Sequence, residues 1–179
     1  MHPAPLCLFP DAELQVMMRD GVVVRFGHAC AVAYASVADR LAPDDRAASL
    51  APLVTGTSAV GGASAVWVHA GGPAPSELTI STQRGARPPK QHLAGVRYRS
   101  TAPPDAAVRL VGGVRVVVPW LALVDLLHDP AADQATIDLA VRTFELDPVE
   151  LLATHVTLRR PFAALARRRA TLAMAATGS

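Results

Sequence analysis

The sequence predicts an α+β fold, with a small mixed or antiparallel sheet in the middle, a C-terminal helical bundle, and a helix followed by a hairpin in front. Three observations carry this prediction. Short β-branched runs separated by turn residues crowd residues 77–118. From Pro119 onward a 3.6-residue periodicity with capping signals takes over. The apolar residues are mostly small, with 34 Ala and 21 Val against 4 Phe, 2 Trp and 2 Tyr in 179 residues, so a few large anchors must organise a core of small side chains.

Taken in order, residues 1–10 hold three prolines and read as a loose arm. A helix is expected from Asp11 to Asp20, capped by Asp11 and stopped by Gly21. Val22 to Phe26 reads as a strand, Gly27-His28 as a turn and Ala29 to Tyr34 as the returning strand. Helix, strand, turn and strand make the second half of a winged helix, a remnant preceding the main domain. The predicted division is therefore residues 1–43 and 44–179. With Val22 to Val24 needing cover, the hairpin is expected to pack back on the main domain rather than meet a partner.

A helix follows Pro43 with Asp44 or Asp45 as cap, then a small, Gly-rich stretch from Thr55 to Gly62. Ser64 to His69 reads as a short helix carrying Trp67, ended by Gly71-Gly72-Pro73. Strands are expected in Glu77–Gln83, with Leu78 and Ile80 alternating against polar residues, and around Val96-Arg97-Tyr98-Arg99. Val108–Val111 and Val114–Val118 flank Gly112-Gly113 as a hairpin. Pro119 opens a helix that is apolar nearly all round and therefore belongs in the core, with Trp120 on it. Asp133 caps the next helix, Asp147-Pro148-Val149-Glu150 starts another, and a last one runs from Pro161 toward Met174.

Composition excludes several classes of function. Hydrophobic residues reach 51% and charged residues 18%, so a core is available and wholesale disorder is excluded. Net charge is +2, too mild to mark a nucleic-acid binder by bulk charge. Of 17 basic residues only Lys90 is Lys, a skew that reads as codon bias and carries no function. Cys7 and Cys30 make no disulfide framework, the N-terminus has no secretory pattern, and no apolar run approaches the ~18 residues of a membrane helix. A cytoplasmic protein that does not enter membranes is expected.

Charge is partitioned along the chain. Residues 84–115 hold seven bases and one acid, residues 119–150 seven acids and one base, and residues 159–179 five Arg and no acid. Such runs read either as separate solvated faces or as a basic surface meeting something acidic.

Motifs that carry chemistry fail. Gly56 to Ser64 imitates a phosphate loop, but Gly62 stands where Lys is required. His28 and Cys30 lack a second ligand pair, and the six histidines are scattered. Asp125, alone inside an apolar helix, reads either as a catalytic carboxylate or as a structural acid held by backbone N–H groups or an Arg. Trp67 and Trp120 read as core anchors. No enzyme, cofactor or metal is expected.

Ser64-Ala65-Val66-Trp67-Val68-His69-Ala70-Gly71, then Leu78-Thr79-Ile80-Ser81 before a basic stretch, then Gly95-Val96-Arg97-Tyr98-Arg99-Ser100, resemble the AbiEi family. These are antitoxins of AbiE-type toxin–antitoxin systems, common in actinobacteria. Gly113-Val114-Arg115-Val116-Val117-Val118-Pro119 leading into Leu123-Val124-Asp125-Leu126 is similar to the same family, as is Asp147-Pro148-Val149-Glu150-Leu151-Leu152 before an Arg-rich helix. The resemblance spans roughly residues 14–172. It implies an antitoxin that neutralises a nucleotidyltransferase-like toxin by direct binding. Its alternative is a winged-helix autoregulator of the operon, touching DNA through Arg19 and Arg25. Only the end of a winged helix is matched, so DNA binding is expected to be weak or absent. The toxin contacts expected are Arg84, Arg87, Arg97 and Arg99 in the middle and Arg159, Arg160, Arg167 and Arg168 in the tail. Residues 44–174 are expected to suffice for neutralisation.

Overall fold

The computed structural model describes residues 9–82, 94–99, 102–155 and 160–177. Helix α1 (Asp11–Arg19) begins after Pro10 and gains no side-chain cap, so Asp11 is its first residue rather than its cap. Gly21 stops it at φ +70°. The hairpin that follows pairs β1 (Val23–His28) with β2 (Ala31–Ser36), Val23 opposite Ser36 and His28 opposite Ala31. Its turn therefore falls at Ala29-Cys30, two residues beyond the expected place. Gly27 lies inside β1 at φ +96°, where an added Cβ would come within 2.5 Å of the Ala31 carbonyl oxygen. The glycine thus serves a close approach of strands, not a reversal.

The hairpin touches the body of the protein as expected from sequence, but only Val23 of the Val22–Val24 run is covered; Val22 and Val24 stay exposed. Val23 and Ala31 are buried, and the buried His28 ring places Nε2 3.1 Å from the Ser76 carbonyl. Helix α2 (Pro43–Ser49) follows. Neither Asp44 nor Asp45 is its N-cap, because Pro43 already takes the first helical position behind Ala42. Asp45 instead reaches back to accept the Ala42 N–H at 2.8 Å, and Asp44 Oδ1 accepts the Gly112 N–H at 2.6 Å.

The main sheet has five strands in the order β5-β4-β3-β7-β6. They are β3 (Ala59–Val60), β4 (Leu78–Ser81), β5 (Val96–Arg99), β6 (Val108–Val111) and β7 (Val114–Val117). β3 pairs antiparallel with β4 and parallel with β7, β4 and β5 are parallel, and β6 and β7 form the expected Gly112-Gly113 hairpin. The sheet is thus mixed. Its centre is a two-residue strand inside the small, Gly-rich stretch from Thr55 to Gly62, where the sequence predicts no strand, because two residues are too few to show a periodicity. β4 does not alternate either, since all four of its residues are buried between layers.

Helix α3 (Gly62–Ala70) crosses from β3 to β4 with Trp67 in the core. Helices α4 (Pro119–Leu127), α5 (Gln134–Phe144), α6 (Pro148–Thr154) and α7 (Ala163–Thr177) form the C-terminal bundle. α4 is its centre, with every residue from Leu121 to Leu127 buried. The expected caps of α5 and α6 are present: Asp133 accepts the Thr136 N–H at 2.7 Å, and Asp147 accepts those of Val149 and Glu150. Arg169 on α7 donates to the carbonyls of Leu126, Asp129 and Ala132, tying the last helix to the end of α4.

Candidate interaction surface

Two buried acids on and just after α4 organise the charged residues of this end of the molecule. Asp129, 7% exposed, receives Arg97 Nη2 at 2.9 Å and Arg99 Nη2 at 2.5 Å on one oxygen and the Ala131 N–H on the other. β5 presents both arginines and α4 ends at the acid, so the bridge clamps the sheet edge to the bundle. Arg97 Nε also lies 2.9 Å from Glu77 Oε2, an ion pair by distance that is not aligned as a hydrogen bond. Asp125 is paired with Arg160 Nη1, from the segment that leads into α7. The lone acid of the apolar helix is thus held by an arginine 35 positions away. A buried carboxylate of this kind is stable only with such a partner.

The expected contact residues fall into separate groups. Arg97, Arg99 and Arg160 are half-buried and engaged by these carboxylates. Arg167 and Arg168 project from the outer face of α7 into solvent. Arg84, Arg87 and Arg159 lie outside the described residues. Arg19 and Arg25 are exposed on α1 and β1. Trp67 is a core anchor, whereas Trp120 is only half-buried and stacks on His155, ring centroids 4.3 Å apart.

α7 itself has two faces. Ala166, Ala170 and Ala173 are buried, spaced to line one side of the helix. Arg168 and the exposed Leu172 lie on the side away from it, and the exposed Arg167 lies on the flank between.

Between the ends of β4 and β5, the outer side of α4 and the start of α7 opens a cleft of about 640 Å³. Ser81, Arg99, Asp125 and Arg160 contribute its polar wall; Trp120, Leu121 and Phe162 contribute its apolar wall. Phe162 is 53% exposed and adopts φ +61°, a conformation a bulky residue rarely takes. Sequence reasoning missed Asp129 and Phe162. Asp129 follows a helix like any capping or loop acid, and nothing local marks the backbone at Phe162.

Elsewhere, buried groups serve structure. Arg46 donates to the carbonyls of Leu41, Val68 and His69, capping the C-terminal end of α3, and burial lowers its pKa. His69 stands 2.8 Å from the Val117 carbonyl through Nε2 and meets the Phe144 ring edge-on. Burial pushes its pKa below 6.5 against the opposing effect of that hydrogen bond. Cys30 Sγ lies 2.8 Å from His28 Nδ1, and burial raises the thiol pKa. Among the described residues no group of three or more His, Cys, Asp or Glu side chains is arranged to hold a metal ion, and no helix is long and apolar enough to cross a membrane.

No family model matches the chain, and comparisons with curated proteins and with solved structures returned no match.

Proposed function

We propose that this chain is an antitoxin of the AbiEi type that neutralises a nucleotidyltransferase-like toxin by binding it directly. The observation that carries the proposal is the solvent side of α7, where the exposed Arg168 and Leu172 lie one turn apart and Arg167 is exposed on the flank. Arginine beside apolar side chains is the composition of protein interfaces, and cations there suit a partner whose pocket uses carboxylates to hold metal and nucleotide. The resemblance supports the same reading. The segments that carry it become α3, β4, β5 and the β7–α4 junction, so they build one contiguous body. The acids and bases drawn together near α4 neutralise one another, which leaves reactive chemistry to the partner.

The minimal unit under this reading is longer than residues 44–174. Removing everything before residue 44 takes away the Leu41 carbonyl that holds Arg46, the Ala42 cap of α2 and the Ala31 contact with the core. Residues 9–174 are the shorter form expected to remain stable.

The test is co-expression with the product of the adjacent reading frame. Growth rescue together with co-purification supports the proposal; a toxic neighbour that is neither rescued nor bound overturns it. The second reading, an autoregulator binding its promoter, is favoured by Arg19 and Arg25 standing exposed on a helix followed by a hairpin. A mobility-shift assay at physiological salt separates the two, since specific binding tighter than about 10⁻⁸ M would mark an operator complex.

A further inference from the structure

We infer that the free edge of β1 is the surface through which a second copy of this chain binds, joining the two-stranded hairpins of both copies into one continuous antiparallel sheet. Among the described residues, seven of the twelve large hydrophobic side chains left exposed lie between residues 9 and 37. Three of them form one patch. Val37 donates its N–H to the Val22 carbonyl, so these two stand opposite each other just beyond the β1–β2 ladder. Val24 follows Val22 on the same face, because alternate strand residues point the same way. Val22, Val24 and Val37 are 48%, 42% and 57% exposed. Adjoining apolar side chains left in solvent in this way mark an interaction surface.

The ladder fixes what the edge offers. The bond from Val37 to Val22 makes that pair a hydrogen-bonded one, and such pairs alternate with non-bonded ones along an antiparallel ladder. Val24 with Ala35 and Phe26 with Ala33 are then bonded inward, so Val23, Arg25 and Gly27 turn their backbone N–H and C=O groups outward. No strand among the described residues pairs with that side of β1. No Lys or Pro blunts it, and Arg25 is its one formal charge. There is room beside it: a groove of about 470 Å³ borders Arg25, Phe26 and Gly27, with Leu41, Trp67 and Gly72 among its other walls. A strand laid along such an edge gains main-chain hydrogen bonds and seats alternate side chains.

The occupant is a second copy because the edge is complementary to itself. Across a twofold axis, outward residues must meet outward residues. An axis at Arg25 would set two guanidiniums opposite each other, which is destabilising. An axis at Phe26 would draw in His28, which is buried with Nε2 against the Ser76 carbonyl. An axis at Val23 would run the overlap into the Gly21 turn, where φ is +70°. An axis at Val24 has none of these faults. Val23 then meets the partner's Arg25, Val24 the partner's Val24, and Val22 the partner's Phe26. This register forms about four backbone hydrogen bonds and leaves only apolar side chains in contact on the patch face. The surrounding charges permit it too, since residues 9–40 carry four acids and three bases, and like surfaces of that kind meet without strong repulsion. The overlap is short, so the dimer is a weak one. The inference concerns this chain alone and does not rest on toxin binding.

Sedimentation velocity of the purified chain from about 1 to about 500 μM reads the association, and a reversible dimer with a dissociation constant on the order of 10–100 μM is expected. Val24→Lys sets two cations opposite each other at the axis and should weaken the dimer by about tenfold or more. Its melting temperature in dilute solution should stay near the parent's, because Val24 is already exposed in one copy. The register has its own test. With Cys7 and Cys30 changed to Ser, Val24→Cys should cross-link two copies under mild oxidation, since the Cα atoms of a non-bonded antiparallel pair lie about 4.5 Å apart, within reach of a disulfide. Leu110→Cys, 74% exposed on β6, measures chance collision and should cross-link at least about tenfold more slowly. A monomer at every concentration, a dimer that Val24→Lys leaves unchanged, or Val24→Cys cross-linking no faster than Leu110→Cys would each overturn the inference. A monomeric chain whose Val24→Lys variant loses toxin binding would overturn it as well, and would give the patch to the toxin.

Discussion

Arg97 and Arg99 on β5 and Arg167 and Arg168 on α7 are the same residue type in neighbouring pairs, yet they do different work. The first pair leans on a carboxylate that is 7% exposed, and joins the sheet to the bundle. The second pair touches water. A sequence shows both as basic patches. The structure separates them by whether a buried acid stands opposite, which decides if the charge holds the fold or remains for a partner.

The largest way to break this contrast is to remove the shared acid. Asp129→Ala leaves two guanidiniums facing a buried position and an orphaned Ala131 N–H. Chemical denaturation should show a loss of about 3 kcal/mol, the low end for a buried pair because both arginines are partly exposed. Reversing Arg97 and Arg99 together to Glu should be similarly damaging, so any loss of rescue in that variant would follow from lost folded protein. If this double reversal melts like the parent, the clamp is not structural.

A smaller loss is expected at the α6 cap, where Asp147→Ala should cost about 1 kcal/mol. Charge reversal at Arg167 with Arg168 should change stability least, by about 0.5 kcal/mol or less. If the proposed toxin is the partner, that variant should nonetheless slow association with it, more so at low salt, and stopped-flow binding would measure it. Equal association rates for parent and variant would move the interface away from α7.

Acid should weaken the fold through His69. Its folded pKa lies below the unfolded value of 6.5, so the unfolded chain binds the proton more readily. Stability is full above pH 6.5 and falls as pH drops from there through the folded pKa. A His69→Gln variant, compared with the parent by thermal melting across that window, should show a flatter pH dependence. A parallel dependence would assign the acid sensitivity to another group.

Most of the local structure was legible from the chain. Asp133, Asp147, Pro119, Gly21 and the Gly112-Gly113 turn act within a few residues, and their chemistry is visible at that range. What stayed hidden depends on pairing across distance. β3 is a strand because Val60 finds Ile80 and Val116, not because Ala59-Val60 prefers one. Gly27 reads as a turn until Ala31 is known to lie against it. The partner of Asp125 is invisible because Arg160 comes from another helix's entrance, and the cleft they border cannot be seen in any single segment. The outer arginines of α7 were nameable from sequence, but which basic residues were already committed was not.

The central strand has a consequence in time. Val60 pairs with Val116, so the middle of the sheet waits for 56 further residues to be synthesised. At about 5–20 residues per second that delay is roughly 3–11 seconds, during which α3 and β4 can form only against an unfinished edge. If the protein must be ready when its target appears, order of translation matters: the reading frame made first, or in greater number, gains the head start that this late-closing topology requires.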